Sequence, residues 1–455
     1  MADSQLRICT LNCWGLAVVS KYRKERVAAI AQALSDSSYD IVALQELWVY
    51  SDYELVKAKV VHRFPYAKFF HGGALGAGLV FLSRFPIVGA TSHPYSLTGS
   101  PLDALGGDWF VGKAAVSVLL AHPILGQLQV FNTHLYARGG ESGPEYLRAH
   151  RLVNAWELAK LVRQSAEGGR YVISVGDFNS VPTSFPVAII KDHSGLRDAW
   201  ADTHPNAPET ASPNMAPLDA IHTFGVTADS PLNTYSAGKP LDGYARQFMG
   251  KRLDYVLYRP PIHSLGSSRS PVLEPMQSDV VFTEHVPGKL YSFSDHFGLE
   301  ATFSIKLPGG QPGDVNNLSD IEAPAPAPDN LTENPSQEVS LARNLEPNPH
   351  PGLSDVSITT LIQALTTCYR LSRSSSRFHL SLFFGSLFAV IGLIIGSAWL
   401  PYSWINPIFL LATTALAWLA TTMLYVGFLY ENYEANTLVN IIEELELYRG
   451  NIRSD

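Results

Sequence analysis

Only three cysteines, Cys9, Cys13 and Cys368, occur in 455 residues. Their spacing suits neither a disulfide framework nor a cysteine zinc site. Positive charge is also in short supply, with 33 Lys and Arg against 41 Asp and Glu and a formal net charge of -8. A protein that grips nucleic acid through its phosphates needs the opposite balance, so no nucleic-acid partner is expected. The first residues, MADSQLRICTLN, lack the apolar core of a secretory signal and run straight into a strand-like segment. These features together favour a reducing, cytosol-facing location for the N-terminal part. A last lack is local: residues 380–400 and 407–430 contain no charged side chain. Each is long enough to cross a bilayer as a helix, which takes ~20 apolar residues.

The two apolar stretches are joined by a short connection that includes Pro401 and Asn406. They are expected to form a transmembrane helical hairpin with both flanks on one side of the membrane. Arg370, Arg373 and Arg377 precede the first span, which puts that side in the cytosol by the positive-inside rule. A hairpin buried in a soluble core is the alternative, and two adjacent charge-free spans of this length speak against it. Gly392 and Gly396 offer a small-residue face for close helix approach. An integral protein of the endoplasmic reticulum or another endomembrane, mitochondria included, is the expected location.

Short runs rich in Val, Ile, Leu and aromatics recur at 6–11, 41–44, 78–82, 116–120, 128–133, 171–175, 253–258 and 299–305, each of strand length. Amphipathic segments lie between them. One places Val27, Ile30, Ala31 and Leu34 on one face; another, 147–162, aligns Leu147, His150, Asn154, Leu158 and Leu161. Interleaved strands and helices indicate a layered α/β domain. Residues 203–250 read as a long loop near the site. The expected organisation is a catalytic domain at 1–307 and a disordered Pro/Asn-rich linker at 308–355. A basic juxtamembrane segment at 356–379, two spans within 380–430 and a helical tail at 431–455 follow.

Polar residues stand at the ends of the predicted strands. Asn12 follows the first, Glu46 the second, His134 the run LQVFNT, and Asp177 and Asn179 the run YVISVG. Asp295 and His296 precede the last strand, and Asp254 sits in RLDYVLY, where a carboxylate is costly to bury unless paired. Singly, each has an ordinary explanation as a turn cap, an exposed strand end or a satisfied core histidine. As a set they give one sheet edge an oxygen-rich rim, which suits Mg²⁺ with water and substrate phosphate.

The ordered motifs LNCWG, LQELW, NTHL, GDFN, RLDYVLY and SDH resemble the endonuclease/exonuclease/phosphatase superfamily of Mg²⁺-dependent phosphodiesterases, over nearly all of residues 6–305. The resemblance implies a four-layered α/β sandwich. It implies Glu46 as principal Mg²⁺ ligand, with Asn12 near metal and phosphate and Asp295 adding to the metal and acid network. Asp177 and Asn179 would hold the nucleophile and the scissile phosphate. His296 would act on the attacking water, oriented by Asp254, and His134 would stabilise phosphate charge or assist the leaving group. Whether His296 or Asp177 takes the proton stays open.

Two further features narrow the branch. Trp14, in LNCWG, offers an apolar surface beside the phosphate. GGDWFVGKA at 106–114 matches most of a nucleotide P-loop, but Ala114 stands where Ser or Thr would bind Mg²⁺, so no nucleotide is expected. With the hairpin, these features resemble the membrane-bound neutral sphingomyelinases and the fungal inositol phosphosphingolipid phospholipases C. That resemblance implies roles for Asp108 and Lys113 in head-group positioning or activation, and anionic phospholipids as activators. The expected reaction is phospholipase C-type hydrolysis of a membrane sphingolipid to ceramide and a phosphorylated head group. A nuclease or inositol-phosphate phosphatase on the same fold, and a silent membrane scaffold, are the alternatives.

Overall fold

The computed structural model describes residues 4–103, 107–140, 143–212, 214–261, 270–307 and 352–452. The expected linker at 308–355 lies almost wholly outside the described residues.

In chain order the strands are β1 (Gln5–Asn12), β2 (Ile41–Gln45), β3 (Tyr66–Phe70), β4 (Leu79–Ser83), β5 (Ile87–Pro94), β6 (Ala114–His122), β7 (Gly126–His134), β8 (Tyr171–Asp177), β9 (Arg197–Asp198), β10 (Asp254–Arg259), β11 (Val272–Val281) and β12 (Gly298–Lys306). The helices are α1 (Arg23–Ser35), α2 (Tyr50–Val60), α3 (Glu145–Glu167), α4 (Phe185–Ser194), α5 (Ala199–Thr203), α6 (Pro217–Phe224), α7 (Gly243–Phe248), α8 (Asp355–Gly396), α9 (Asn406–Leu424) and α10 (Glu431–Ile452). The strands make two six-stranded sheets, ordered β11-β12-β1-β2-β4-β3 and β5-β6-β7-β8-β10-β9. Both are mixed: β1 runs parallel to β2 and β7 to β8, and the other pairs are antiparallel.

The layering follows from the two-residue period of a strand. On β2, Ile41 and Ala43 face the second sheet, whereas Val42 and Leu44 pack under α1 and α2 with Val27, Ile30 and Val56. Residues covered on both faces read as continuous apolar runs, which is why these strands were conspicuous in sequence. The inter-sheet core joins Leu6, Ile8 and Phe81 to Val118, Val130 and Ile173. Outside the second sheet, α3 and α4 bury Leu152, Trp156 and Ile190 against Phe131, Val172 and Leu257. The order is helix, sheet, sheet, helix, as expected.

The strands that sequence reading missed lie at or near sheet edges. β3 and β11 are outermost in the first sheet, β5 and β9 in the second. β11 carries Pro275 beside a bulge, a residue confined to edges because it cannot donate to the ladder. The stretch 203–250 is mostly loop but contains α6 and α7.

The C-terminal part does not hang free. α8 is one helix of 42 residues that joins the expected juxtamembrane segment to the first apolar stretch. Its first turns place Ile358, Leu361, Leu365 and Cys368 in the same core as Trp156 of α3 and Leu438, Ile441 and Leu445 of α10. The helical tail is thus packed onto the sandwich through α3. A π-helical turn, Tyr425–Tyr430, links α9 to α10. Both long helices are apolar enough to cross a membrane, and little of their apolar windows is buried in the protein. The close crossing occurs at Gly427, where an added Cβ would lie 3.0 Å from Cβ of His379 and 3.2 Å from the Ser376 carbonyl. Gly392 has no such neighbour among the described residues and a Cβ on Gly396 would reach Phe409 of α9 at 3.9 Å, an ordinary contact, so the tight small-residue approach is at Gly427.

Candidate active site

The site continues the inter-sheet core. Inward-facing positions change from apolar to polar at one end of five strands. Leu6 and Ile8 give way to Thr10 and Asn12, Ile41 and Ala43 to Gln45, and Leu128 and Val130 to Asn132 and His134. Ile173 and Val175 lead to Asp177, and Val256, read backwards, to Asp254. Cross-strand register sets His134 and Asp254 on either side of Asp177. The sheets are tied together where polarity begins: Gln45 Nε2 donates to Asn132 Oδ1 at 2.7 Å, and Asn132 Nδ2 donates to the carbonyls of Leu44 and Val80. Every second residue of each strand carried this signal.

Asn12 Nδ2 bridges two carboxylates, Glu46 Oε1 at 3.1 Å and Asp177 Oδ2 at 3.0 Å. Asp177 Oδ1 accepts the backbone N–H of Asn179, whose own Nδ2 donates to the Leu135 carbonyl. His296 Nδ1 lies 2.8 Å from Asp254 Oδ2, and its Nε2 lies 3.8 Å from Asp177 Oδ2. Trp14, Glu46 and Asn179 all have positive φ, at 45°, 55° and 46°. Such conformations cost of order 1–3 kcal/mol each and collect at functional sites.

Lys113 is buried and enters from the glycine-rich segment. Its Nζ is 2.7 Å from His134 Nε2, 3.1 Å from the Leu135 carbonyl and 3.4 Å from Asp108 Oδ1. Asp108 also accepts the N–H of Ala137. The loop is pressed on residues 72–78, where Gly112 is required: a Cβ there would come within 2.6 Å of Gly72 C and Gly73 N. Lys113 leads into strand β6 and not into a helix, so the segment lacks the helix N-terminus that a nucleotide P-loop presents to phosphates. Trp14 lies against Tyr235, with ring centres 4.7 Å apart and planes tilted by 57°, and the Arg26 guanidinium is 4.8 Å from its ring centre. All eleven predicted site residues belong to this one region or its immediate wall.

Sequence reading missed Arg26 and Arg151. Arg26 is fully buried and donates to the carbonyls of Cys13, Trp14 and Phe293, fixing the loops on both sides of the site. Arg151 of α3 donates to the carbonyls of Asn179 and Gly140. A buried arginine on an apolar helix face was its only sequence signal.

Electrostatics set the roles apart. Burial, reinforced by the Asp295 carboxylate, pushes Glu46 up to about 7. Burial likewise raises Asp177 and Asp295. His134 is held well below the usual imidazole range by burial and then by Lys113, so it is neutral and accepts from the ammonium. Burial opposes charge on His296, but Asp254 and Asp177 outweigh it and raise the imidazole well above its usual value. Four carboxylates thus crowd a buried site, and Asp254 Oδ1 has no hydrogen-bond partner among the described residues. This hard, all-oxygen, charge-frustrated donor set fits a small divalent cation. Asp177, Asp254 and His296 also bring ligand atoms within 4.8 Å of one another. There the His296–Asp254 hydrogen bond favours a base with its orienting carboxylate.

Residues 9–296 match the model of the Endonuclease/Exonuclease/phosphatase family. The chain belongs to that family. Within it, the chain is 34% identical over 453 residues to the inositol phosphosphingolipids phospholipase C of Schizosaccharomyces pombe, covering 97% of this chain and 94% of that protein. It is 32% identical over 302 residues to human sphingomyelin phosphodiesterase 2, covering 66% of this chain and 65% of that protein. Among solved structures, sphingomyelinase C from Streptomyces griseocarneus aligns with a TM-score of 0.43 at 19% identity, over 66% of this chain and 99% of that one.

Proposed function

We propose that this family member hydrolyses membrane sphingolipids in the manner of a phospholipase C, releasing ceramide and a phosphorylated head group with Mg²⁺ as cofactor. The observation that carries the proposal is the buried carboxylate cluster with its His296–Asp254 pair, in the same packed unit as two apolar helices. The named activities of the relatives that align over most of the chain support it.

Glu46, with Asn12 and Asp295, would hold the ion. When bound, Mg²⁺ supplies positive charge that relieves the repulsion between a phosphodiester and an incoming nucleophile. With the carboxylate charge offset by the ion, His296 Nε2 would be free to accept a proton from the attacking water, and Asp254 fixes the Nδ1–H tautomer and stabilises the imidazolium formed. Asn12 and Asn179 hold the geometry around Asp177. Lys113 places a buried ammonium beside the phosphate position, and neutral His134 receives one of its hydrogens, so the cation at this corner is the lysine. Asp108 keeps Lys113 in place. Trp14, with Arg26 and Tyr235, forms the wall next to Asn12.

The apolar hairpin is the membrane anchor in this reading, with the catalytic unit on the cytosolic face of an endomembrane. Arg370, Arg373 and Arg377 are exposed on α8 just before its apolar part. Each would attract anionic phospholipid by ~1 kcal/mol, which supports such lipids as activators. The test presents purified full chain and a Glu46→Gln variant with sphingomyelin, inositol phosphoceramide, lysophospholipid and DNA in mixed micelles with Mg²⁺. Glu46-dependent release of ceramide is expected. Hydrolysis of DNA alone sinks the proposal.

A further inference from the structure

A cavity of about 390 Å³ lies away from the carboxylate cluster, where the anchor meets the sandwich. The 99–103 loop and the start of α3 form one side of it, and α8 with the start of α10 forms the other. His379 immediately precedes the first charge-free stretch and Tyr430 ends the second, so one end of the cavity stands at the bilayer boundary. Cys368 lines it ~16 Å further along α8, at a helical rise of ~1.5 Å per residue. Leu102, Tyr146 and Leu371, all exposed, add apolar surface to the lining. The Tyr430 hydroxyl donates to the Gly99 carbonyl and so ties the loop to the anchor.

The interior is acidic and short of cations. Asp103, Glu431 and Glu434 line it, and Arg138, which also lines it, pairs with Asp103. Ser372 Oγ donates to the Glu431 carbonyl at 3.0 Å and Ser376 Oγ to the Gly427 carbonyl at 2.7 Å, so the start of α10 is fixed against α8. His150 Nε2 donates to Glu434 Oε1 at 2.7 Å, which satisfies that oxygen. His379 Nδ1 lies 2.8 Å from Glu431 Oε1, and burial lowers this imidazole, so the contact is a neutral N–H on a carboxylate. The other oxygen, Glu431 Oε2, is buried with no hydrogen-bond partner among the described residues, and Glu431 as a whole is 5% exposed. Burial, with Glu434 close by, pushes this carboxyl up to about 7. A carboxylate oxygen held in this way is costly unless a donor reaches it.

The missing partner is a donor, and the acidic lining favours a positively charged one. A bare metal ion is far smaller than the cavity, and the His150 hydrogen on Nε2 leaves that ring no lone pair beside Glu434. A primary ammonium is a compact charge with several donors, like that of lysine. A quaternary ammonium donates nothing and would leave Oε2 as it is. A lipid whose ammonium comes with a further carboxylate would set like charge against Glu431, Glu434 and Asp103. The bilayer-facing end and the apolar rim suit a lipid, whose glycerol and chains stay outside the polar interior. We infer that this collar cavity binds the head group of phosphatidylethanolamine, with its ammonium on Glu431. The site is separate from the reaction centre, and it rests on the hairpin crossing a bilayer, not on sphingolipid turnover.

Native mass spectrometry of the full chain in detergent reads binding without turnover. The chain is titrated with phosphatidylethanolamine, its N-methylated series up to phosphatidylcholine, and phosphatidylserine. Phosphatidylethanolamine should bind about tenfold or more tighter than phosphatidylcholine, with affinity falling at each methylation as a donor is lost to a charged acceptor. Glu431→Gln keeps an oxygen for His379 and removes the charge; it should weaken phosphatidylethanolamine about tenfold and erase the preference, with circular dichroism to verify folding. The methylation series needs no variant. Equal binding of the ethanolamine and choline lipids, or a preference that survives Glu431→Gln, overturns the site. Tighter binding of phosphatidylserine overturns it in favour of the exposed arginines Arg370, Arg373 and Arg377. Competition by free ethanolamine as effective as the lipid itself overturns the lipid as ligand and makes it a soluble amine. The expected preference in a chain that hydrolyses no sphingolipid overturns the proposed reaction and leaves the site standing.

Discussion

Nζ of Lys113 is 2.7 Å from Nε2 of His134, with both side chains buried. A neutral imidazole holds the ammonium at the point where a phosphate must meet several carboxylates. Lys113→Met should lower kcat by about a hundredfold or more, the scale seen when a preorganised charge partner is removed. Steady-state kinetics on sphingolipid vesicles, with circular dichroism to verify folding, checks this. A tenfold effect or less would place the charge elsewhere.

Asp254→Asn leaves the His296 ring in place but removes the acceptor that fixes its Nδ1–H. The expected outcome is a fall in kcat of roughly a thousandfold with KM little changed, because the loss is felt mainly where the imidazolium forms. The acidic limb of the pH–rate profile should move to lower pH, since the carboxylate that most raises the His296 imidazole is gone.

Metal affinity should depend on pH with a definite sign. Burial and Asp295 raise Glu46 to about 7 in the metal-free protein, so below that pH a proton competes for the ligand. The apparent Mg²⁺ dissociation constant should rise as pH falls through 7, by about tenfold per unit when one proton is displaced. Calorimetry at pH 6 and pH 8 in buffers of different ionisation enthalpy would also reveal the released proton. Glu46→Gln should flatten the dependence and weaken binding.

The seat of α10 should be acid-sensitive. His193 is buried between Trp156 and Tyr448, at 4.3 and 5.2 Å between ring centres. Burial, with Arg163 and Lys160 near, lowers it to about 3. Its folded value lies below the unfolded one, so the unfolded chain binds the extra proton between pH 6.5 and 3, and stability declines as pH falls through that window. A His193→Leu variant should show a shallower loss of melting temperature from pH 7 to pH 4. An unchanged slope would remove His193 as the cause.

The contact between anchor and active-site loop should be stabilising. His150 Nδ1 accepts the Gly99 N–H at 2.9 Å, so its Nε2 carries the hydrogen and donates to Glu434 of α10 at 2.7 Å. With Cys368 these residues group as metal ligands do, but that tautomer leaves no imidazole lone pair for an ion. Glu434→Ala should lower the melting temperature by several degrees, from the loss of a buried, charge-assisted hydrogen bond worth about 1.5–3 kcal/mol. Added zinc should restore nothing.

The strands around Ile8, Val42, Val130 and Ile173 were legible because both their faces are covered, which leaves unbroken apolar runs. Edge strands such as β5, with Val88, Ala90, Thr91 and Ser92 in the open, carry no such pattern and were missed. Asn12, Glu46, Asp177, Asp254 and His296 were legible for a related reason: polar residues ended apolar runs at strand tips. Arg26 and Arg151 were not, because their partners are backbone carbonyls distant in sequence. The docking of α8 and α10 was hidden by composition, since Ile358, Leu361 and Leu438 read as an ordinary amphipathic flank until α3 supplies the facing surface.

The most direct test of the central claim is which bond breaks. Full chain with Mg²⁺ is given inositol phosphoceramide and sphingomyelin vesicles in ¹⁸O-water, and the products are read by mass spectrometry. Water attack at phosphorus predicts unlabelled ceramide and a phosphorylated head group with one ¹⁸O, abolished by Glu46→Gln. Ceramide phosphate as the product, label in the ceramide hydroxyl, or no release of ceramide from either lipid would contradict the account.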